Sequence, residues 1–177
     1  MRLNICLAAL AVTTAFASPA FAQAVVSDTA TAEARGLVLQ PLTLTKVDDL
    51  DFGTILASAA AGSVSIDPDT GNRSTSGGVT PVASNVGQRA LFAGAGTAGQ
   101  QVDLSLTPPP GNVLVSTSNP SDTIAITSMV LDSGNLTTRI IASDGTFQVG
   151  VGGDFAIAAG QNNGFYKADF DLTADYQ

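Results

Sequence analysis

Gly164-Phe165-Tyr166-Lys167-Ala168-Asp169-Phe170-Asp171-Leu172-Thr173-Ala174-Asp175-Tyr176 precedes the last residue, Gln177. Tyr166, Ala168, Phe170, Leu172, Ala174 and Tyr176 share one parity; Lys167, Asp169, Asp171, Thr173 and Asp175 share the other. An extended chain turns successive side chains to opposite faces. The pattern therefore predicts one continuous strand from Gly164 to Tyr176, with an apolar face and a wet one. A helix would scatter the same residues around its axis.

The rest of the chain repeats this period in shorter runs. Expected strands are Ala34 to Thr45, Leu50 to Leu56, Ser63 to Ile66, Arg89 to Ala93 and Gln101 to Leu106. Others are Val113 to Thr117, Thr123 to Leu131, Leu136 to Ala142, Thr146 to Val151 and Phe155 to Ala158. The punctuation between them has physical content. Asp67-Pro68-Asp69-Thr70-Gly71-Asn72 combines a fixed proline φ, side-chain caps and a glycine, which predicts a turn. Gly152-Gly153-Asp154 reads as a tight hairpin connector, and Pro108 to Asn112 as a stiff crossing. Ser74 to Ser84, rich in Ser, Thr and Gly, reads as a flexible loop. Many short strands joined by such turns predict a single all-β, immunoglobulin-like sandwich spanning 23–177.

Residues 1–22 read as a signal peptide. Met1-Arg2 starts positive, Ile5 to Ala17 is apolar, Ser18-Pro19 breaks the helix, and Ala20-Phe21-Ala22 has the small-x-small cleavage pattern. The expected location is outside the inner membrane: periplasm, cell surface (as a fimbrium) or medium. Cys6 leaves with the leader, so packing alone must hold the mature domain. With 15 acidic against 7 basic residues, the net charge is −8, and Lys and Arg are not clustered. A nucleic-acid surface is not expected.

Catalytic chemistry has few carriers. The sequence holds no His and no Trp, and its one Cys lies in the leader. Ser-His-Asp and Cys-His catalysis, imidazole and thiolate metal sites, and haem ligation all lack their residues. Gly94-Ala95-Gly96-Thr97-Ala98-Gly99 spells a nucleotide fingerprint, but a strand pattern follows it where a helix would be needed. Asp69-Thr70-Gly71 occurs once and sits in a turn, whereas an aspartic protease needs two such carboxylates. Asp48, Asp49 and Asp51, or Asp67 and Asp69, could offer calcium weak oxygen ligands, without an EF-hand spacing. No catalytic residue, cofactor site or metal site is expected.

The terminal strand resembles that of pilin subunits assembled by the chaperone–usher pathway. It has the alternating apolar residues Phe170, Leu172 and Ala174, the penultimate Tyr176, and Gly164 fourteenth from the end. Across the domain the chain also resembles the exported bacterial domain-of-unknown-function 4402 family. Those matches are Pro41 to Lys46, Asp49 to Ile55, Ser63 to Asp67, Gly150 to Gly153 and Gly164 to Tyr166. The Leu50-Asp51-Phe52-Gly53 element is similar to one in archaic pilins and spore-coat-U-type domains. Those pilins commonly carry N-terminal cysteines, which this mature chain lacks.

The resemblance implies a non-enzymatic surface subunit that polymerises by strand donation, with a periplasmic chaperone and an outer-membrane usher as partners. Gly164, Tyr166, Phe170, Leu172, Ala174 and Tyr176 would form the assembly strand. The segment 23–45 would donate, through Ala32, Ala34, Gly36, Val38, Leu42 and Leu44. The same residues could instead form the domain's own first strand. A self-contained secreted or periplasmic binding module is the second expectation.

Overall fold

The computed structural model describes residues 27–177; the stretch read as a signal peptide, 1–22, lies outside them. The chain divides into an N-terminal unit up to Gly36 and a main unit, Leu37–Gln177. In the first, residues 27–36 form neither helix nor strand and are exposed.

The main unit is an all-β sandwich of eleven antiparallel strands. They are β1 (Thr43–Asp48), β2 (Ile55–Ile66), β3 (Arg73–Pro81), β4 (Ala90–Ala95), β5 (Gln101–Thr107) and β6 (Val113–Ser116). Then come β7 (Thr123–Leu131), β8 (Thr138–Ile140), β9 (Thr146–Ile157), β10 (Tyr166–Lys167) and β11 (Asp171–Tyr176). The large sheet runs β1-β4-β9-β7-β6-β10, and the β2–β3 hairpin joins β9 beyond the end of β4. The small sheet is β11-β5-β8.

Alternation builds the core between the sheets. Ala90 and Phe92 of β4, Val102 and Leu104 of β5, and Phe147, Val149 and Val151 of β9 meet there, with Leu131 and Ile141. A second cluster fills the curl of the large sheet: Val64, Val79, Ile124, Ile126, Phe155 and Ile157. Each fully buried aliphatic side chain contributes roughly 1.5–3 kcal/mol, which is how a thiol-free domain coheres.

Polar groups fasten the loops. The Asp67 carboxylate accepts Thr70 N at 2.7 Å and Asp69 N at 2.9 Å, forming the expected turn. The Arg73 guanidinium donates to four carbonyls: Phe52 and Thr54 at 3.1 Å, Asn85 at 2.9 Å and Val82 at 3.0 Å. It ties the loop before β2 to the loop after β3. Arg139 pairs with Asp132 where both side chains are largely covered.

Five expectations need correction. Ser74 to Ser84 is mostly strand β3, an edge whose Ser and Thr suit a solvated ladder better than a loop. Gly152-Gly153-Asp154 is no connector, because β9 runs through it. A Cβ at Gly152 would collide with the Ile66 carbonyl, and one at Gly153 would stand 2.6 Å from the Ser128 carbonyl. These glycines allow close backbone approach, the other reason for glycine in a strand. Leu50 to Leu56 is largely irregular, and the first strand begins at Thr43 rather than Ala34. The terminal strand is two strands, β10 in the large sheet and β11 in the small one, with Ala168 to Phe170 crossing between them.

Candidate assembly surface

β11 is an edge strand, with β5 on one side. Its register decides where its backbone groups point. Gln177 N donates to Gln101 O at 3.1 Å, directly opposite in the continued β11–β5 register. Bonded and non-bonded pairs alternate along an antiparallel ladder. Asp171, Thr173 and Asp175 therefore turn their N–H and C=O groups toward β5. The other side of β5 agrees: Leu104 N donates to Thr137 O at 2.7 Å, so its even residues face β8.

Leu172, Ala174 and Tyr176 consequently turn their backbone groups outward. Among the described residues no backbone partner outside the sheet meets them. Their side chains pack on the first core cluster. The strand is thus anchored by its side chains and open along its backbone edge, a template for an added strand.

β1 ends the large sheet on the same flank, and Tyr176 joins the two edges. Its hydroxyl accepts Thr97 N at 2.7 Å and donates to Gln40 O at 2.9 Å. Gln40 N in turn donates to Thr97 Oγ1 at 2.7 Å. Gly96 lies beneath this latch, with Leu42 and Ile141 beside it. Gln40 and Thr97 carry no sequence signal: one contributes backbone, the other a hydroxyl in a glycine-rich stretch that reads as a turn.

Five of the six assembly-strand residues divide between the two clusters. Phe170, Leu172, Ala174 and Tyr176 pack on the first, and Phe170 meets Phe92 edge to face at 6.1 Å between ring centroids. Tyr166 packs on the second, with its hydroxyl donating to Asn162 O at 2.7 Å. Gly164 is an exposed bend before β10.

The donor residues divide at Pro41. Ala32, Ala34 and Gly36 lie exposed in the N-terminal unit, and Val38 is 92% exposed in the main one. Leu42 leads into β1, which contains Leu44; both pack on the domain's own core, and Leu44 stands opposite Gly94 of β4. The domain's own first strand is therefore what Leu42 and Leu44 build, and among the described residues of the donor segment those before Pro41 pair with no strand.

The acidic clusters are engaged in local structure. Asp49 pairs with Lys46 at 2.6 Å, Asp51 accepts Gly53 N at 2.7 Å, and Asp69 accepts Ser133 N at 2.7 Å. The Thr70 amide, then its hydroxyl, holds the Asp67 carboxyl below its ordinary pKa. Thr146 does the same for Asp144. A hollow of about 30 Å³ lined by Leu50, Phe52, Met129, Phe155 and Phe170 holds at most one water. A groove of about 320 Å³ beside β5, where β8 stops short, has no charged side chain in its lining.

The family model described as Domain of unknown function (DUF4402) matches residues 42–176, from the residue before β1 to the end of β11. The chain belongs to that family. No curated protein and no solved structure matches it.

Proposed function

We propose that this family member is an exported, non-enzymatic structural subunit whose sandwich accepts an extended strand along the open edge of β11. The observation that carries the reading is the outward-turned backbone of Leu172, Ala174 and Tyr176, without a partner among the described residues, on a strand fixed by its own side chains. The donor is a second copy's segment through Val38, whose alternating small residues suit a shallow seam. Main-chain bonds would supply affinity, and the seam between β1 and β11 would select side chains. The absence of imidazole and mature thiol from the sequence, and hollows without charged lining, favour a structural over a catalytic role.

One observation favours the second reading, a self-contained binding module. Leu42 and Leu44 already complete the core edge, and Tyr176 latches the flank at Gln40. The test is light scattering of the mature chain from Gln23 across a concentration series, beside a deletion of 23–38. Concentration-dependent oligomers that the deletion abolishes, and that a synthetic 27–38 peptide competes away, are expected. A mature chain that stays monomeric and ignores the peptide overturns strand donation and leaves the binding module.

A further inference from the structure

Asn163-Gly164 is the single Asn-Gly pair in the sequence, and it lies in an exposed, irregular stretch just before β10. Neither the Asn163 side chain nor the Gly164 N–H has a hydrogen-bond partner among the described residues, although both neighbouring positions are tied down. Asn162 Nδ2 donates to Asp122 at 2.9 Å, Tyr166 Oη donates to Asn162 O at 2.7 Å, and Thr117 N donates to Phe165 O at 2.9 Å. The chain is thus pinned at Asn162 and Phe165, with an amide and a main-chain nitrogen free between the pins.

We propose that Asn163-Gly164 is a self-modification site, at which Asn163 converts slowly to aspartate and isoaspartate and thereby loosens β10 from β6. The Gly164 nitrogen loses its proton and attacks Asn163 Cγ. The new N–Cγ bond closes a five-membered imide while the Cγ–Nδ2 bond breaks, and ammonia leaves with the proton. Water then opens either imide carbonyl. One opening leaves an ordinary aspartate in place of the asparagine; the other routes the main chain through the former side chain and adds a methylene to the backbone. Neither step needs an oxidant, a reductant or a metal.

Glycine permits the attack because it has no side chain to crowd the approach. The competing sites are blocked. Asp144-Gly145 has a similar sequence, but Asp144 Oδ1 accepts from the Thr146 amide and hydroxyl, each at 2.9 Å, and Gly145 N donates to Ala142 O at 2.9 Å. Its carboxyl is held ionised and so is a poor electrophile. Asn119 precedes proline, which has no N–H to use, and the Asn135 side-chain oxygen accepts Leu131 N at 3.0 Å. Asn72 and Asn112 precede Arg73 and Val113, whose side chains crowd the approach. Asn85 and Asn162 are hydrogen-bonded.

The lengthened backbone has no slack to enter. Only Asn163 and Gly164 separate the pins, and β10 is two residues long, Tyr166 opposite Ser116 and Lys167 opposite Val115. An added methylene must displace one pin or pull on this short ladder.

The folded mature chain is aged in mildly alkaline buffer at physiological temperature and mapped by peptide mass spectrometry, with an isoaspartate-specific methyltransferase reporting the rearranged product. Asn163 should convert before every other Asn, and the isoaspartate form should lose hydrogen-exchange protection at Lys167 several-fold. Asn163→Asp, which adds the charge without lengthening the backbone, should keep that protection. Gly164→Ala should slow conversion several-fold. A Cβ there would meet Ser116 Oγ at 3.3 Å, a rotatable hydroxyl, so the domain should still fold. If it does not, Asn163→Gln, whose longer side chain disfavours ring closure, gives the same readout. Conversion of Asn163 no faster than that of Asn162 or Asn85, or a rate unmoved by these variants, overturns the site. Equal protection in aged and Asn163→Asp protein overturns the loosening of β10.

Discussion

Replacing Tyr176 by phenylalanine isolates the latch from the ring. The ring still packs on the first core cluster, and the hydroxyl that bridges Thr97 N and Gln40 O is removed. A typical hydrogen bond contributes about 0.5–1.5 kcal/mol net, and a buried group left unpaired costs more. Gln40 is exposed, so water replaces the hydroxyl at its carbonyl; the half-buried Thr97 amide loses its partner beneath the ring. The sum is about 1–2 kcal/mol. With a urea slope of about 2 kcal/mol per M, the midpoint should fall by about 0.5–1 M. Tyr176→Ala should fall further by about 2–3 kcal/mol, because truncating a fully buried aromatic costs about 3–5 kcal/mol and this one is partly exposed. Urea titration by circular dichroism of wild type and both variants measures all three midpoints. An unchanged midpoint in Tyr176→Phe, or equal losses in the two variants, would refute the account of Tyr176 as a two-edge latch. The comparison also bears on assembly. Tyr176→Ala mixes unfolding with loss of the edge, whereas Tyr176→Phe leaves the β11 backbone intact and should still bind the 27–38 peptide.

Arg73→Met should cost more than the tyrosine hydroxyl, about 3 kcal/mol or above, because four carbonyls lose a charged donor; thermal unfolding reads the loss, and a change below about 1 kcal/mol would mean water replaces the guanidinium freely. Asp175 stands directly opposite Asp103 on the exposed face of the small sheet, and neither is in a salt bridge among the described residues. Asp175→Lys should stabilise by about 0.5–1 kcal/mol at low salt and lose the gain at about 1 M salt; a salt-independent gain would point to packing instead. Asp67 should titrate below its unfolded value near 3.9. Its contribution to stability is present above that value and is lost as pH falls through the lowered folded pKa. Carbon-detected NMR titration checks the order of midpoints, and Asp67→Ala should flatten the acid limb of the stability curve.

Alternation placed the strands well where a strand has one wet and one dry face. Thr123 to Leu131 coincides with β7, and Gln101 to Leu106 is one residue short of β5. It failed where the backbone, rather than the side chains, sets the constraint. Gly152 and Gly153 read as a turn because a glycine pair says only that Cβ is unwelcome; whether the reason is a positive φ or a neighbouring carbonyl depends on strands distant in sequence. The Ser and Thr run of β3 looked like a loop because an edge strand needs little apolar surface, and its partner β2 carries the buried Val64 and Ile66.

The terminal segment shows the same boundary at finer grain. Tyr166 to Tyr176 keeps its parity across the break, since every even residue in it is partly buried and every odd one exposed. Parity alone cannot reveal that Ala168 to Phe170 carries the chain from one sheet to the other. That crossing leaves β11 beside β5 alone, with no strand on its opposite side among the described residues. An open edge is a property of what is missing beside a strand, and no residue within the strand encodes it. The Tyr176 ring was legible as a buried end of the pattern; its bonds to Gln40 and Thr97 were not, because they depend on where β1 and β4 come to rest. Leu42 and Leu44 share a parity with Val38, yet Pro41, without an N–H, separates a part paired to β4 from a part paired to no strand. The division of the N-terminal stretch is therefore set around Pro41: Gln40, just before it, is the first residue tied to the domain, and the described residues before Leu39 are exposed. It is also what strand exchange between copies requires: a domain that closes enough of its own core to fold alone, and a tether left over that can reach a neighbour's edge.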